Sequence, residues 1–532
     1  MLSNAMEKAF PVSTNEASPT AVTEQSSPPD YPDKLDAATL RIAGVCILAS
    51  FMMALDTTVV SVAQRTFIAE FESTQAVVGW TMTGYTLALA TVIPIAGWAA
   101  DRFGTKRLWM GSVVAFMAGS LLCALAPNIL LLNVFRAVQG MCGGMLMPMG
   151  FMILTRVAGP KRLGRLMSVL GIPMLLGPIG GPILGGWLIS SFSWPWIFLI
   201  NLPFGLCAFL LALAIFPRDQ PTPSETFDAV GVLLLSPGLA IFLFGVSSIP
   251  GEGTLADRDV VLPVIIGLGF ISAFVVHALH RADHPLIDLR LFKNPVVTHA
   301  NVTAFLFAVA FFGSVLLLPS YLQQVWHQTP MQSGVHLIPQ GLGAMLTMPF
   351  AGRFMDRKGP GKCVLFGITL IALGLGIFTL GVARQSGYLP MLLVGLAIMG
   401  MGTGCTMMPL SGASVQTLAP HEIARGSTLI SVNLQVGGSI GTALMSMVLT
   451  SQFNRSENIV AANQLARLDQ EAARRGVPLD PSAVPQRTRD PGFAVNLLHD
   501  LSHAYTLILA IAVVVVAATL IPAAFLPKTP PA

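Results

Sequence analysis

Two ionisable side chains stand inside otherwise apolar runs: Asp56 within residues 41–63 and Arg136 within residues 129–152. A charge in hydrocarbon is costly and by default marks a path for protons, ions or substrate. Helix rise sets their depth. At 1.5 Å per residue, Asp56 lies roughly 22 Å from the inner edge of a core about 30 Å thick, counted from Arg41; Arg136 lies roughly 10 Å from the outer edge, counted from Ile129. Both fall at about the same level in the outer half. An acid and a base at one depth pair or share a water-filled cavity. A purely structural pair is the alternative, but apolar packing replaces such a pair at little cost.

A second constellation occurs twice. Gly97, Asp101, Arg102, Gly104, Lys106 and Arg107 are matched in register, 255 residues later, by Gly352, Asp356, Arg357, Gly359 and a final basic Lys362. Gly97 allows close helix approach and Gly104 a tight turn. Asp101 can cap or pair with helix ends, and Arg102 can bridge across one face of the molecule. Contacts of this kind hold a gate shut until one half of the molecule swings. Internal repeats of this sort mark secondary transporters that rock about a site at the bilayer midplane.

A third pattern lies in residues 166–189. Gly171, Pro173, Gly177, Pro178, Gly181, Pro182 and Gly185 make a glycine row at Gly177, Gly181 and Gly185, on a helix bent by its prolines. Such a smooth face is expected to slide against a helix of the other half; a static seam of small residues is the alternative.

The elements that must position these residues follow from composition. Of 532 residues, 53% are hydrophobic and only 11% charged, against about 25% charged in soluble proteins. That excludes a soluble enzyme, a nucleic-acid binder and a disordered chain. It predicts an all-α polytopic membrane protein. Apolar runs long enough to span occur near 41–63, 78–99, 108–126, 129–152, 166–189, 196–216, 229–249, 260–280, 297–322, 333–353, 362–383, 389–410, 427–450 and 504–526, fourteen in all. With the N-terminus inside, sixteen Lys and Arg fall in short inner loops and three in short outer loops, the bias expected of cytoplasmic termini.

The expected organisation is a solvated cytoplasmic tail (1–40) with no signal peptide, then a six-helix bundle (41–217). Two extra helices with linkers (218–296) and a second six-helix bundle (297–526) follow, then a short cytoplasmic tail (527–532). Residues 451–503 form a polar outer loop with a helical stretch at Ala461–Arg475. It is a candidate surface for a periplasmic adaptor or a flexible insertion.

Other chemistry is set aside. The six cysteines have no ligand spacing, and His421-Glu422-Ile423-Ala424-Arg425 lacks the second histidine of a zinc motif, so no metal is expected. No phosphate-binding GxxxxGK[ST] occurs. Gly437-Gly438-Ser439-Ile440-Gly441 lies in mid-span, not at the strand–helix turn a nucleophile elbow needs.

Taken together, these residues resemble the major facilitator superfamily, specifically its fourteen-span drug:proton antiporters. Leu55-Asp56-Thr57-Thr58-Val59-Val60 is similar to that family's first-helix motif, and loop 97–107 to the superfamily's signature loop. Asn133-Val134-Phe135-Arg136-Ala137-Val138-Gln139-Gly140 resembles the fourth-helix motif, whose arginine is linked to proton coupling. The string from Gly171 to Gly185 resembles the motif of antiporters, and Trp194-Pro195-Trp196 through Asn201 and Pro203 the entry to the sixth span. The sequence departs from the pattern at Ser61, Gln64, Arg65 and Pro195.

The resemblance implies two six-helix bundles plus two central helices in a bacterial inner membrane. It implies exchange of an inward proton for an outward lipophilic compound by alternating access, with Asp56 as the protonatable group. The gradient drives transport and no cofactor is implied. Candidate substrate-binding residues are Trp80, Tyr85, Phe305, Phe312, Tyr321, Gln324 and Asn433. An exporter of an endogenous metabolite, lipid or siderophore on the same fold is the alternative. A scaffold that binds a periplasmic partner is disfavoured, since it needs no Asp56 and Arg136 at matched depth.

Overall fold

The computed structural model describes residues 36–158, 162, 166, 177, 180, 181, 183–219, 227–252, 257–280, 285–418, 422–475 and 483–528. Among the described residues there is no strand; the architecture is helical throughout. The first half is built from α1 (Ala37–Glu70), α2 (Gln75–Val92), α3 (Ala96–Phe103), α4 (Thr105–Ala124), α5 (Ile129–Gly144) and α6 (Leu146–Ala158), followed by helix Asn201–Ile215. Local chemistry sets the ends. Thr74 caps α2 by accepting from the Val77 N–H, and Asn128 caps α5 by accepting from the Leu131 N–H at 2.9 Å. Pro94 sits in a 3-10 turn that joins α2 to α3, as expected where a proline interrupts the α ladder.

Twelve helices among the described residues are long and apolar enough to cross a membrane. Two of the fourteen expected spans are missing from that set, for different reasons. Most of 166–189 lies outside the described residues. Residues 333–353 do fall on helices, Pro330–His336 and Ile338–Lys358, but Gln340, Thr347, Arg353 and the charges at Asp356–Lys358 make them less apolar than the rest.

The described residues of 451–503 are largely helical. Helix Ile423–Arg455 overruns the expected end of its span, a separate helix covers Glu457–Arg475, and the last long helix begins at Phe493. No glycine or proline interrupts Ser451–Arg455, so nothing stops that helix at the span boundary. The two helical arms are tied by Asp500, which accepts from Ser456 Oγ at 2.6 Å and Asn458 Nδ2 at 3.0 Å.

Each half has its own core. Met52, Trp109, Phe116 and Leu154 are fully buried in the first half, and Phe307, Tyr321, Phe378 and Tyr505 in the second. Met408, Val415 and Ala424 of the second half complete the first core, so the halves are locked together at the end that carries the 97–107 loop. Helices Ala229–Glu252 and Arg258–His280 lie across the seam. Phe242, Leu243 and Val246 pack with Ala90 of the first half and Ala443 of the second, and Ser236 Oγ donates to the Thr91 carbonyl at 2.6 Å.

Candidate functional site

α1 and α5 bring Asp56 and Arg136 together. Arg136 Nη1 lies 2.6 Å from Asp56 Oδ2, with both side chains sealed from solvent. The rest of the carboxylate is satisfied from α5 again and from helix Asn201–Ile215: Gln139 Nε2 donates to Oδ1 at 3.1 Å and Asn201 Nδ2 to Oδ1 at 2.8 Å. Ser120 Oγ accepts from both amides, at 2.7 and 2.8 Å. Arg136 also donates through Nε to the Thr81 carbonyl at 3.1 Å and through Nη1 to Gln139 Oε1 at 2.7 Å. A buried ion pair survives only if its remaining hydrogen-bonding capacity is met, and here four helices meet it.

Sequence reasoning named the acid and the base but gave no role to Gln139, Ser120 or Asn201. Their signal was present: Gln139 follows Arg136 by three residues, on the same helix face, and an amide in a run as apolar as 196–216 needs a buried partner.

Tyr85 closes the pair on one side. Its ring centroid is 4.1 Å from the Arg136 guanidinium carbon, and Phe198 lies at 5.8 Å. A desolvated cation over an aromatic face gains about 2 kcal/mol. The other side of Tyr85 borders a cavity of about 390 Å³ between the two halves. First-half helices contribute Met53, Thr57, Thr58, Met147 and Phe151; the second half contributes Phe311, Phe312, Gln340, Met407 and Gln435. Aromatic and methionine side chains with a few polar groups suit varied lipophilic ligands, because the thioether adapts its shape.

The predicted binding residues divide. Tyr85 and Phe312 line the cavity. Trp80 instead stacks on Phe244 of the first extra helix, centroids 5.7 Å apart. Phe305 lies against Gly437 in the packing of the second half. Tyr321 is buried between Phe378 and Tyr505, Gln324 accepts from the Tyr505 hydroxyl at 3.0 Å, and Asn433 donates to the Asn301 carbonyl at 2.7 Å. These five belong to helix packing.

At the locked end, Asp101 pairs with Arg156 at 2.8 Å, and the same guanidinium donates to Thr105 Oγ1. Gly104 (φ +91°) and its repeat partner Gly359 (φ +84°) share the same left-handed turn, which only glycine adopts freely. Asp219 caps the start of α4, accepting from the N–H groups of Lys106 and Arg107, while Lys106 Nζ donates to the carbonyls of Leu213 and Phe216 at 2.8 Å each. Gly97 faces Ala424 and Thr428 of the other half so closely that a β-carbon there would lie 2.9 Å from Thr428 Oγ1. Arg102 lies in the last turn of α3, and Asp356 and Arg357 at the C-terminal end of helix Ile338–Lys358.

The glycine row behaves differently from expectation. Gly177, Gly181 and Gly185 face Ala54, Thr58 and Val59 of α1, and Thr58 Oγ1 donates to the Gly177 carbonyl at 3.1 Å. In this conformation the row seams its helix to α1 of its own half. Small residues permit either contact, and the four-residue spacing does not say which neighbour fills it. Gly171, Pro173, Pro178 and Pro182 lie outside the described residues.

A family model for the Major Facilitator Superfamily matches residues 46–442. The chain is 66% identical over 532 residues to the "Multidrug resistance protein B homolog" of Mycobacterium tuberculosis (strain ATCC 25618 / H37Rv), covering 99% of this chain and 98% of that one. It is 28% identical over 424 residues to the "Multidrug export protein EmrB" of Escherichia coli (strain K12), covering 79% and 82%. Among solved structures, the human organic anion transporter MFSD10 (TETRAN) superimposes with a TM-score of 0.57 at 15% identity, over 91% of this chain and 100% of that one. The proton:xylose symporter XylE gives 0.55 at 13%, over 92% and 97%; at these identities the likeness concerns the fold. The chain is thus a multi-pass membrane transporter that belongs to the major facilitator superfamily, in the group of its multidrug-efflux proteins.

Proposed function

We propose that this protein is a proton-coupled antiporter that exports lipophilic and amphipathic compounds across the bacterial inner membrane by alternating access, with no cofactor. One observation carries the reading: a sealed Asp56–Arg136 pair stands directly behind the wall of a large cavity shared by both halves. Asp56 is the proton carrier, and Arg136 holds its carboxylate when the proton has left. The Gly97 contact with Ala424 and Thr428 latches the halves at one end, where the Asp101–Arg156 pair braces α3 against α6 within the first half, while the cavity faces the other end. The basic-residue bias supports a cytoplasmic position for that latch and for both termini. Helix Glu457–Arg475 then lies outside, where a periplasmic adaptor would dock.

The driving force is adequate. One pH unit supplies 1.36 kcal/mol per proton and 100 mV about 2.3 kcal/mol per charge, enough together for an uphill gradient of several hundred-fold.

The test is transport in proteoliposomes under an imposed pH gradient, following radiolabelled chloramphenicol for the wild type and for Asp56→Asn. Gradient-dependent accumulation that disappears in the variant supports the reading. Accumulation that survives the substitution moves the proton site elsewhere, and no gradient dependence in the wild type refutes antiport.

A further inference from the structure

The central cavity has a chemical character that its size does not convey. Among the described residues, no Asp, Glu, Lys, Arg or His lines it. Residues 166–191, whose described glycines pack on the α1 face beside it, contain no ionisable side chain either. Behind Tyr85, Asp56 and Arg136 neutralise each other. A permanent cation entering this space would shed its hydration with no carboxylate to replace it, an uncompensated cost. An uncharged ligand pays no such cost.

The same wall holds an orphan donor. Tyr85 is 2% exposed, and its hydroxyl has no hydrogen-bond partner among the described residues. The ring is fixed on one side by the Arg136 guanidinium, and the hydroxyl end lies beside Gly143, which also lines the cavity. A β-carbon at 143 would sit 3.2 Å from the hydroxyl oxygen, so the glycine keeps this position uncrowded. A buried hydroxyl left unpaired costs stability, and a site retains such a group when a ligand completes it.

We propose that the cavity takes uncharged lipophilic compounds bearing a carbonyl or similar acceptor, and that the Tyr85 hydroxyl donates to that acceptor. Tyr85 is then the specificity-determining residue of the site. Its ring, pressed on Arg136, places the bound compound one side chain away from the proton pair. The inference rests on the antiporter reading for its physiological sense, but its test requires no gradient.

Equilibrium dialysis of the purified full-length protein in detergent measures binding of radiolabelled chloramphenicol, an uncharged aromatic amide, and of tetraphenylphosphonium, a lipophilic cation of comparable bulk. The wild type is expected to bind the amide and to bind the cation at least tenfold more weakly. Tyr85→Phe keeps the ring on Arg136 and removes only the unpaired hydroxyl. It is expected to weaken amide binding roughly tenfold, the worth of one hydrogen bond in a dry site, while its melting temperature holds or rises. A merely structural tyrosine would lower both together. Preference for the cation, amide binding unchanged in Tyr85→Phe, or binding of neither probe by the wild type overturns the proposal. Amide binding that passes these tests without gradient-driven transport would refute the antiporter reading alone.

Discussion

Arg136 and Asp56, eighty positions apart, share a 2.6 Å ion pair in which the arginine also carries the ring of Tyr85. The pair is therefore bound to the cavity wall by one side chain. Removing one partner strands the other in a dry setting, so Asp56→Asn is expected to destabilise the protein by about 3–5 kcal/mol. Neutralising both, in Asp56→Asn with Arg136→Gln, should recover much of that loss while transport stays abolished. Melting curves of the three proteins in one detergent check this; a double variant no more stable than the single one contradicts it.

The turn at Gly104 offers a backbone test. At φ +91° and ψ 142° a side chain is strained by about 1–3 kcal/mol, and a β-carbon would also overlap the Asp219 carboxylate that caps α4. Gly104→Ala should lower the melting temperature and the transport rate. Gly111→Ala, in the interior of α4 with open space around it, should hold or raise the melting temperature, since alanine is the better helix former. Equal effects at both positions would remove the turn from the account.

Gly97 bears on the latch. A side chain there must push α3 away from Ala424 and Thr428. In a background lacking the six native cysteines, a thiol at the buried position Ala100 is expected to react with maleimide faster when Gly97→Leu is also present. Unchanged labelling would show that the contact does not hold the halves together.

The buried Asp56–Arg136 pair was the most legible part of the sequence. A lone charge in an apolar run is conspicuous, and helix rise alone put Asp56 and Arg136 at one level. The repeat was legible for a similar reason: Gly104 and Gly359 are demanded by the same turn, so the same residue recurs at the same offset. The cavity was not legible. Phe312 faces it while Phe305, seven residues earlier, packs on Gly437, because two full helical turns do not reveal which neighbour stands opposite. Tyr321 and Gln324 looked available until the last helix brought Tyr505 against both, 181 positions beyond Gln324.

The uncharged cavity has a consequence for energetics. Exporting a neutral compound for one proton moves net charge, whereas one-for-one exchange with a monovalent cation does not. A potassium diffusion potential, with no pH difference, is thus expected to drive chloramphenicol uphill in proteoliposomes. Transport that responds to a pH difference but ignores the potential would contradict a neutral substrate carried against a single proton.

Substrate-driven proton movement tests the central claim most directly. A chloramphenicol gradient imposed across proteoliposomes, with the membrane potential clamped by valinomycin and potassium and a pH-sensitive dye in the lumen, should drive protons the opposite way in the wild type and, at saturating substrate, in Tyr85→Phe. It should drive none in Asp56→Asn. Proton movement of equal size in Asp56→Asn would show that the proton exchanged for substrate does not reside on the Asp56–Arg136 pair.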